Sequence, residues 1–104
     1  MLKQPTIQEI EIAIRRERSY QDEKWGTIAG HPHTVGEWLL IMEKELREAK
    51  GAWISQRGDI GALEEILHVI AVGCACLEQH GIVERFNAPK HMKAAVFGET
   101  RQGA

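Results

Sequence analysis

Glu45 and Glu48 stand three apart in one stretch of helix-forming residues, and Glu65 and His68 stand three apart in the next. Residues three apart share a face of an α-helix, so two antiparallel neighbours can aim both pairs into common space. Clustered carboxylates suit a hard divalent cation such as Mg²⁺, which prefers oxygen donors and keeps several waters. Such a cation neutralises phosphate charge and orients a water for attack, with no protein nucleophile required. The plainer account is that these glutamates, with Glu64, solvate outward faces or pair with Lys44, Arg47 and Lys50. Position argues partly against it. Glu45 and Glu48 lie about 60° apart around their helix and border an apolar stripe of Met42, Leu46 and Ala49. His68 sits in the most hydrophobic stretch of the chain, where a lone histidine is more often a hydrogen-bonded core residue than a ligand.

Aromatic side chains supply a second kind of chemistry. Trp25 and Trp53 flank helix ends and can stack a nucleobase, with a structural role at least as well supported; Trp25, beside Lys24 and Gly26, is the better pocket candidate. Trp38 lies within an apolar stripe and reads as core. His31 and His33 flank Pro32 in a loop and are too few to specify a metal site. Cys74 and Cys76, two apart in a helix, point about 200° from each other and read as small buried hydrophobes.

The elements that must position these groups are helical. Thr6 with Glu9, and Thr34 with Glu37, form two capping boxes that open helices over about 7–24 and 35–53. In the first, Ile7, Ile10 and Ile14 mark an apolar face, and Gly26 ends it. In the second, Val35, Trp38, Leu39, Met42, Leu46 and Ala49 follow helical spacing. Asp59 is expected to cap a third helix over about 60–80, apolar on most of its circumference and closed by Gly81. Gly73 and Ala75 give it low-profile spots for a close helix neighbour, from this chain or a second copy. A short fourth helix is expected over 90–96. The fold class is therefore all-α, a small bundle in one domain over 1–97, with 98–104 a frayed tail.

At 104 residues the chain has room for one domain with a thin core. A third helix apolar nearly all round needs partners on several sides, which predicts oligomerisation, most simply a dimer with a four-helix core. Thirteen basic against fifteen acidic residues leave a charge of −2, so no positive field gathers a nucleic-acid polymer, and no basic recognition helix supports a helix-turn-helix regulator. The longest nearly apolar run, 66–77, falls short of the roughly 20 residues of a membrane span, and residues 1–14 lack a signal peptide's hydrophobic region. A cytoplasmic location is expected, without a membrane.

The order of segments resembles the MazG-like, all-alpha nucleoside triphosphate pyrophosphatases. Their Gln-containing, Trp-ended element is matched by Gln21-Asp22-Glu23-Lys24-Trp25-Gly26. Their Glu-Glu-x-x-Glu helix is matched by 38–49, and their Glu-x-x-Asp helix by Glu65 to His68 and onward to Leu77-Glu78. The resemblance covers about 18–81. It implies cleavage of a nucleoside triphosphate to the monophosphate and pyrophosphate, with Mg²⁺, or Mn²⁺, on Glu45, Glu48 and Glu65. It implies substrate contacts from Gln21, Lys24 and Trp25, and a homodimer or dimer of dimers. Two positions depart from the pattern: Lys44 replaces the first Glu of the Glu-Glu pair, and His68 replaces the Asp. Lys44 then becomes a candidate for neutralising phosphate charge, and His68 for a further ligand or a hydrogen bond to water. The missing carboxylates also support an alternative: a catalytically degenerate relative that binds a nucleotide or a protein as a helical dimerisation module.

Overall fold

The structure, a computed structural model, describes residues 2–85. It contains three helices, α1 (Ile7–Trp25), α2 (Val35–Ile54) and α3 (Gly58–His80), and no strand among the described residues. The expected fourth helix over 90–96 and the tail over 98–104 lie outside them.

Both capping boxes form. The Thr6 hydroxyl accepts from Glu9 N at 3.1 Å while the Glu9 carboxylate accepts from Thr6 N at 2.8 Å. Thr34 and Glu37 repeat the exchange at 3.1 and 2.8 Å. Each box satisfies two backbone donors at a helix start, which is why both boundaries were readable from sequence. Gly26 ends α1 at φ 92°, where a side chain would be strained and where an added Cβ would collide with the His31 ring. The start of α3 differs from expectation. Arg57, without a side-chain cap, precedes it, and Asp59 lies inside the first turn, accepting from the Trp53 indole N–H at 2.9 Å.

α2 and α3 form an antiparallel hairpin, and α1 packs on α3 but not on α2. The buried apolar residues are Trp38, Ala49, Ala71, Val72 and Ala75, small except for the one tryptophan. Gly73 faces Met42, whose methyl would be 3.2 Å from an added Cβ, so the close neighbour at this glycine is α2 of the same chain. By length and composition α3 would suffice to cross a membrane, but core helices pass the same test, and α3 carries both other helices here.

Packing of α1 departs from its apolar pattern. Ile7 is 60% exposed, whereas the only buried residues of α1 are Arg18 and Gln21, from the stretch that reads as polar. Arg18 is buried because its guanidinium is satisfied: Nε donates to Glu78 Oε2 at 2.7 Å, and one Nη to Glu78 Oε1 and Asp22 Oδ1, each at 3.1 Å. Such charge-assisted, two-point pairing offsets the cost of desolvating a cation. The opposite imbalance marks the hairpin. Leu39, Leu46 and Trp53 on α2, and Leu63, Ile70 and Leu77 on α3, recur every seven residues and all stay about half exposed.

Candidate metal centre

Where α1, α2 and α3 face one another, side chains from all three line an open cleft of about 480 Å³. α1 contributes Glu17, Tyr20, Lys24 and Trp25; α2 contributes Lys44, Glu45 and Glu48; α3 contributes Glu65 and His68. Four carboxylates thus face two lysines. The helical phase explains the convergence: three- and four-residue steps keep each set on one side of its helix.

Within the cleft, Glu45, Glu65 and His68 place one ligand-type atom each within 4.8 Å of one another. His68 Nδ1 lies 2.9 Å from Glu65 Oε1, and its Nε2 lies 3.7 Å from Glu17 Oε2. The ring therefore stands between two carboxylates. Acidic groups also gather at protein surfaces without an ion. The electrostatics are those of crowded carboxylates. Burial raises the pKa of Glu45 above the ordinary carboxylate value, and the negative charges of Glu48 and Glu65 push it the same way, against weaker opposition from His68 and Lys44. A carboxylate crowded by others is a group that a bound cation would relieve.

Seven of the eight residues singled out from sequence line this cleft: Lys24, Trp25, Lys44, Glu45, Glu48, Glu65 and His68. They are not equivalent. Glu48 stands outside the three-donor group, with the Lys44 ammonium 3.7 Å from its carboxylate. Lys24 lies over the rings of Tyr20 and Trp25, 5.7 and 5.0 Å from their centroids. Gln21 lines a neighbouring pocket, and its amide nitrogen already donates to Glu17 and to the His68 carbonyl, each at 3.4 Å. It positions α1 against the cleft. Glu64 turns away to an ion pair with Arg57.

That neighbouring pocket, of about 280 Å³, shares Trp25, Lys44 and Glu45 with the cleft and reaches Trp38 and Val72 on the inside. His31 and His33, read as loop polar residues, both line it. Their loop is held down by Gln79, whose carbonyl oxygen accepts from the Trp38 indole at 2.9 Å and from His33 N at 3.1 Å, while its amide donates to the His33 carbonyl. The His33 ring meets Trp38 edge-on, with centroids 4.7 Å apart. Cys74, expected as a buried hydrophobe, is only partly buried and donates weakly to Glu78 at 3.5 Å. Burial and this bond raise its thiol pKa, which leaves it a poor nucleophile.

Glu17, Arg18, Glu78 and Gln79 were not legible as members of the site. A signal existed for one: Glu17 lies one turn before Gln21 and shares its face. The others depend on how α1 and the 26–34 loop meet the end of α3. No family model, curated protein or solved structure matches the chain.

Proposed function

We propose that this chain is a metal-dependent nucleoside triphosphate pyrophosphohydrolase of the MazG-like type. The observation that carries the reading is the convergence of Glu45, Glu65 and His68 beside a second, aromatic-lined pocket that shares Trp25, Lys44 and Glu45 with it. Two carboxylate oxygens and an imidazole nitrogen fit a divalent cation in number and kind. When bound, the cation supplies positive charge against the triphosphate. Lys44, on the border of the two pockets, adds a second positive charge, and Trp25 offers a ring face to the base at the same border. Water adds to the α-phosphorus, the α–β anhydride bond breaks, and the bridging oxygen leaves on pyrophosphate. Glu17 and Glu48, outside the three-donor group, are the carboxylates available to take the water's proton.

The test is pyrophosphate release from a panel of ribo- and deoxyribonucleoside triphosphates with Mg²⁺ and with Mn²⁺, using Glu45→Gln as control. Release that disappears in the control supports the reading. A folded protein that releases none with any nucleotide or metal points to the second reading, a nucleotide- or protein-binding helical module. The ion pair between Lys44 and Glu48 favours that second reading, because it removes one anion from the set.

The reading also includes a homodimer, or a pair of such dimers, in the cytoplasm, where nucleoside triphosphates are found. Its support is the pair of half-exposed, seven-residue apolar seams on the α2–α3 hairpin, the pattern that helices use to pack on helices. Leu46→Glu with Leu63→Glu should yield a monomer by light scattering; an unchanged mass would remove this interface.

A further inference from the structure

We propose that the pocket shared by the 26–34 loop and the three helices selects a heteroaromatic ring carrying an exocyclic amino group, and so takes a cytosine- or adenine-type base in preference to its oxo counterpart. The inference rests on the nucleotide reading above and names the bases that this site accepts. It starts from a polar group that burial has left without a partner. Gln21 is 6% exposed and lines this pocket but not the carboxylate cleft. Its amide nitrogen is turned to two acceptors, Glu17 and the His68 carbonyl, each at 3.4 Å. A planar amide carries its oxygen on the other side of the same carbon, so Oε1 faces away from both. Among the described residues nothing donates to it. A buried acceptor without a hydrogen bond is costly, and an N–H from a ligand removes that cost.

The next residue supplies a second acceptor. Asp22 lines the same pocket with Oδ1 held by Arg18 at 3.1 Å, and its other oxygen has no donor among the described residues. Two neighbouring oxygens thus call for two N–H hydrogens, which an exocyclic amino group carries on one atom. An oxo group in its place would set oxygen against oxygen. The remaining walls suit a flat ring: Trp25, Trp38 and His33 are aromatic, and Ile41 and Val72 are apolar. At about 280 Å³ the pocket is small for a ligand site, which fits a ring better than a larger group. Aromatic walls combined with hydrogen bonds to one edge are a general means of reading a base outside a duplex. Trp25 and Lys44, shared with the cleft, lie on the side from which the sugar and phosphates would continue.

Matched nucleosides bound to the full chain without metal test this apart from catalysis. Cytidine and uridine, and adenosine and inosine, differ within each pair by an amino group against an oxygen and by the ring nitrogen beside it. Titration followed by nuclear magnetic resonance should move the indole N–H signals of Trp25 and Trp38 and leave that of Trp53, which lies outside the pocket. Each amino member should bind at least about tenfold more tightly than its oxo partner. Gln21→Met, which keeps the side chain's length and removes the oxygen, should shrink that ratio to about threefold or less, with circular dichroism confirming the fold. If Gln21→Met does not fold, Asp22→Ala serves instead, with the same direction expected. Equal affinities within the pairs, tighter oxo members, or an unchanged ratio in the folded variant overturn the inference and leave the pyrophosphohydrolase reading standing, since that reading requires no particular base. Selective binding of the amino members without pyrophosphate release would do the reverse. Failure of every nucleoside to move either indole, up to the limit of solubility, overturns the inference, while pyrophosphate release still decides the reading above.

Discussion

Two charged groups on α3, about three and a half turns apart, are built in different ways. At Glu78 a carboxylate meets the guanidinium of Arg18 through two hydrogen bonds, with Asp22 completing the set. At Glu65 a carboxylate is gathered with Glu45 and His68, and the surrounding Glu17 and Glu48 add negative charge. The first group ties both of its carboxylates to one guanidinium and joins α1 to the bundle. The second stays in excess, with four carboxylates against Lys24 and Lys44 in the cleft and Arg57 at 4.0 Å from Glu65. Satisfied charge gives a protein its structure, while unsatisfied charge held in place by that structure is what remains for a ligand to complete.

The largest expected effect breaks the second group without touching the first. Glu45→Gln should lower pyrophosphate release by about 100-fold or more through loss of a metal ligand. Glu48→Gln, outside the three-donor group and shared with Lys44, should cost about tenfold. Equal losses in the two variants would show that Glu48 belongs to the set after all.

Glu78→Gln should break the first group and leave Arg18 buried with only Asp22 for a partner. Because the Glu78 side chain is 44% exposed, solvent screening reduces the cost to about 1–2 kcal/mol of unfolding free energy in urea. An effect below about 0.3 kcal/mol would mean that α1 is held by something other than this pair.

The stability effect of Glu45→Gln should have the other sign. Removing a crowded, partly buried charge in the absence of metal should raise unfolding free energy by about 0.5 kcal/mol, so that one substitution loses function and gains stability. A destabilised Glu45→Gln protein would show that the carboxylate is structural.

The smallest effect, and the sharpest comparison, is in pH. Arg18 holds Glu78 below its ordinary value of 4.5 by direct hydrogen bonding, chiefly. Its contribution is therefore complete above 4.5 and is lost as pH falls through the depressed value in the folded chain. Glu45 is shifted upward from 4.5, so its ionised form is disfavoured by folding. Its penalty is absent below 4.5 and complete once pH passes the raised value. Urea unfolding in a chelator should show the advantage of Glu45→Gln growing as pH rises, and the deficit of Glu78→Gln shrinking as pH falls.

Much of this was legible beforehand for a physical reason. Thr6 with Glu9, and Thr34 with Glu37, set helix starts by contacts within four residues, which tertiary packing did not have to supply. Helical phase likewise placed Glu45 with Glu48, and Glu65 with His68, on common faces. Asp59 was misread because a nearby indole, Trp53, took its side chain. Of the apolar face of α1, Ile10 and Ile14 are partly buried while Ile7 stays exposed, because periodicity reports which face is apolar, not how far another element reaches along it.

What the sequence determined by itself, then, was three helices, the starts of the first two, and which side chains share a face, since these follow from interactions a few residues apart. Only the tertiary structure decided that α1 docks through Arg18 and Gln21, that Glu17 joins the cleft, and that Gln79 holds the loop carrying His33. Those contacts join residues 46 to 60 positions apart, or from separate helices, whose meeting depends on crossing angle and depth. No local pattern encodes that geometry; it emerges when α3 is covered from two sides and each polar group it buries must find a partner.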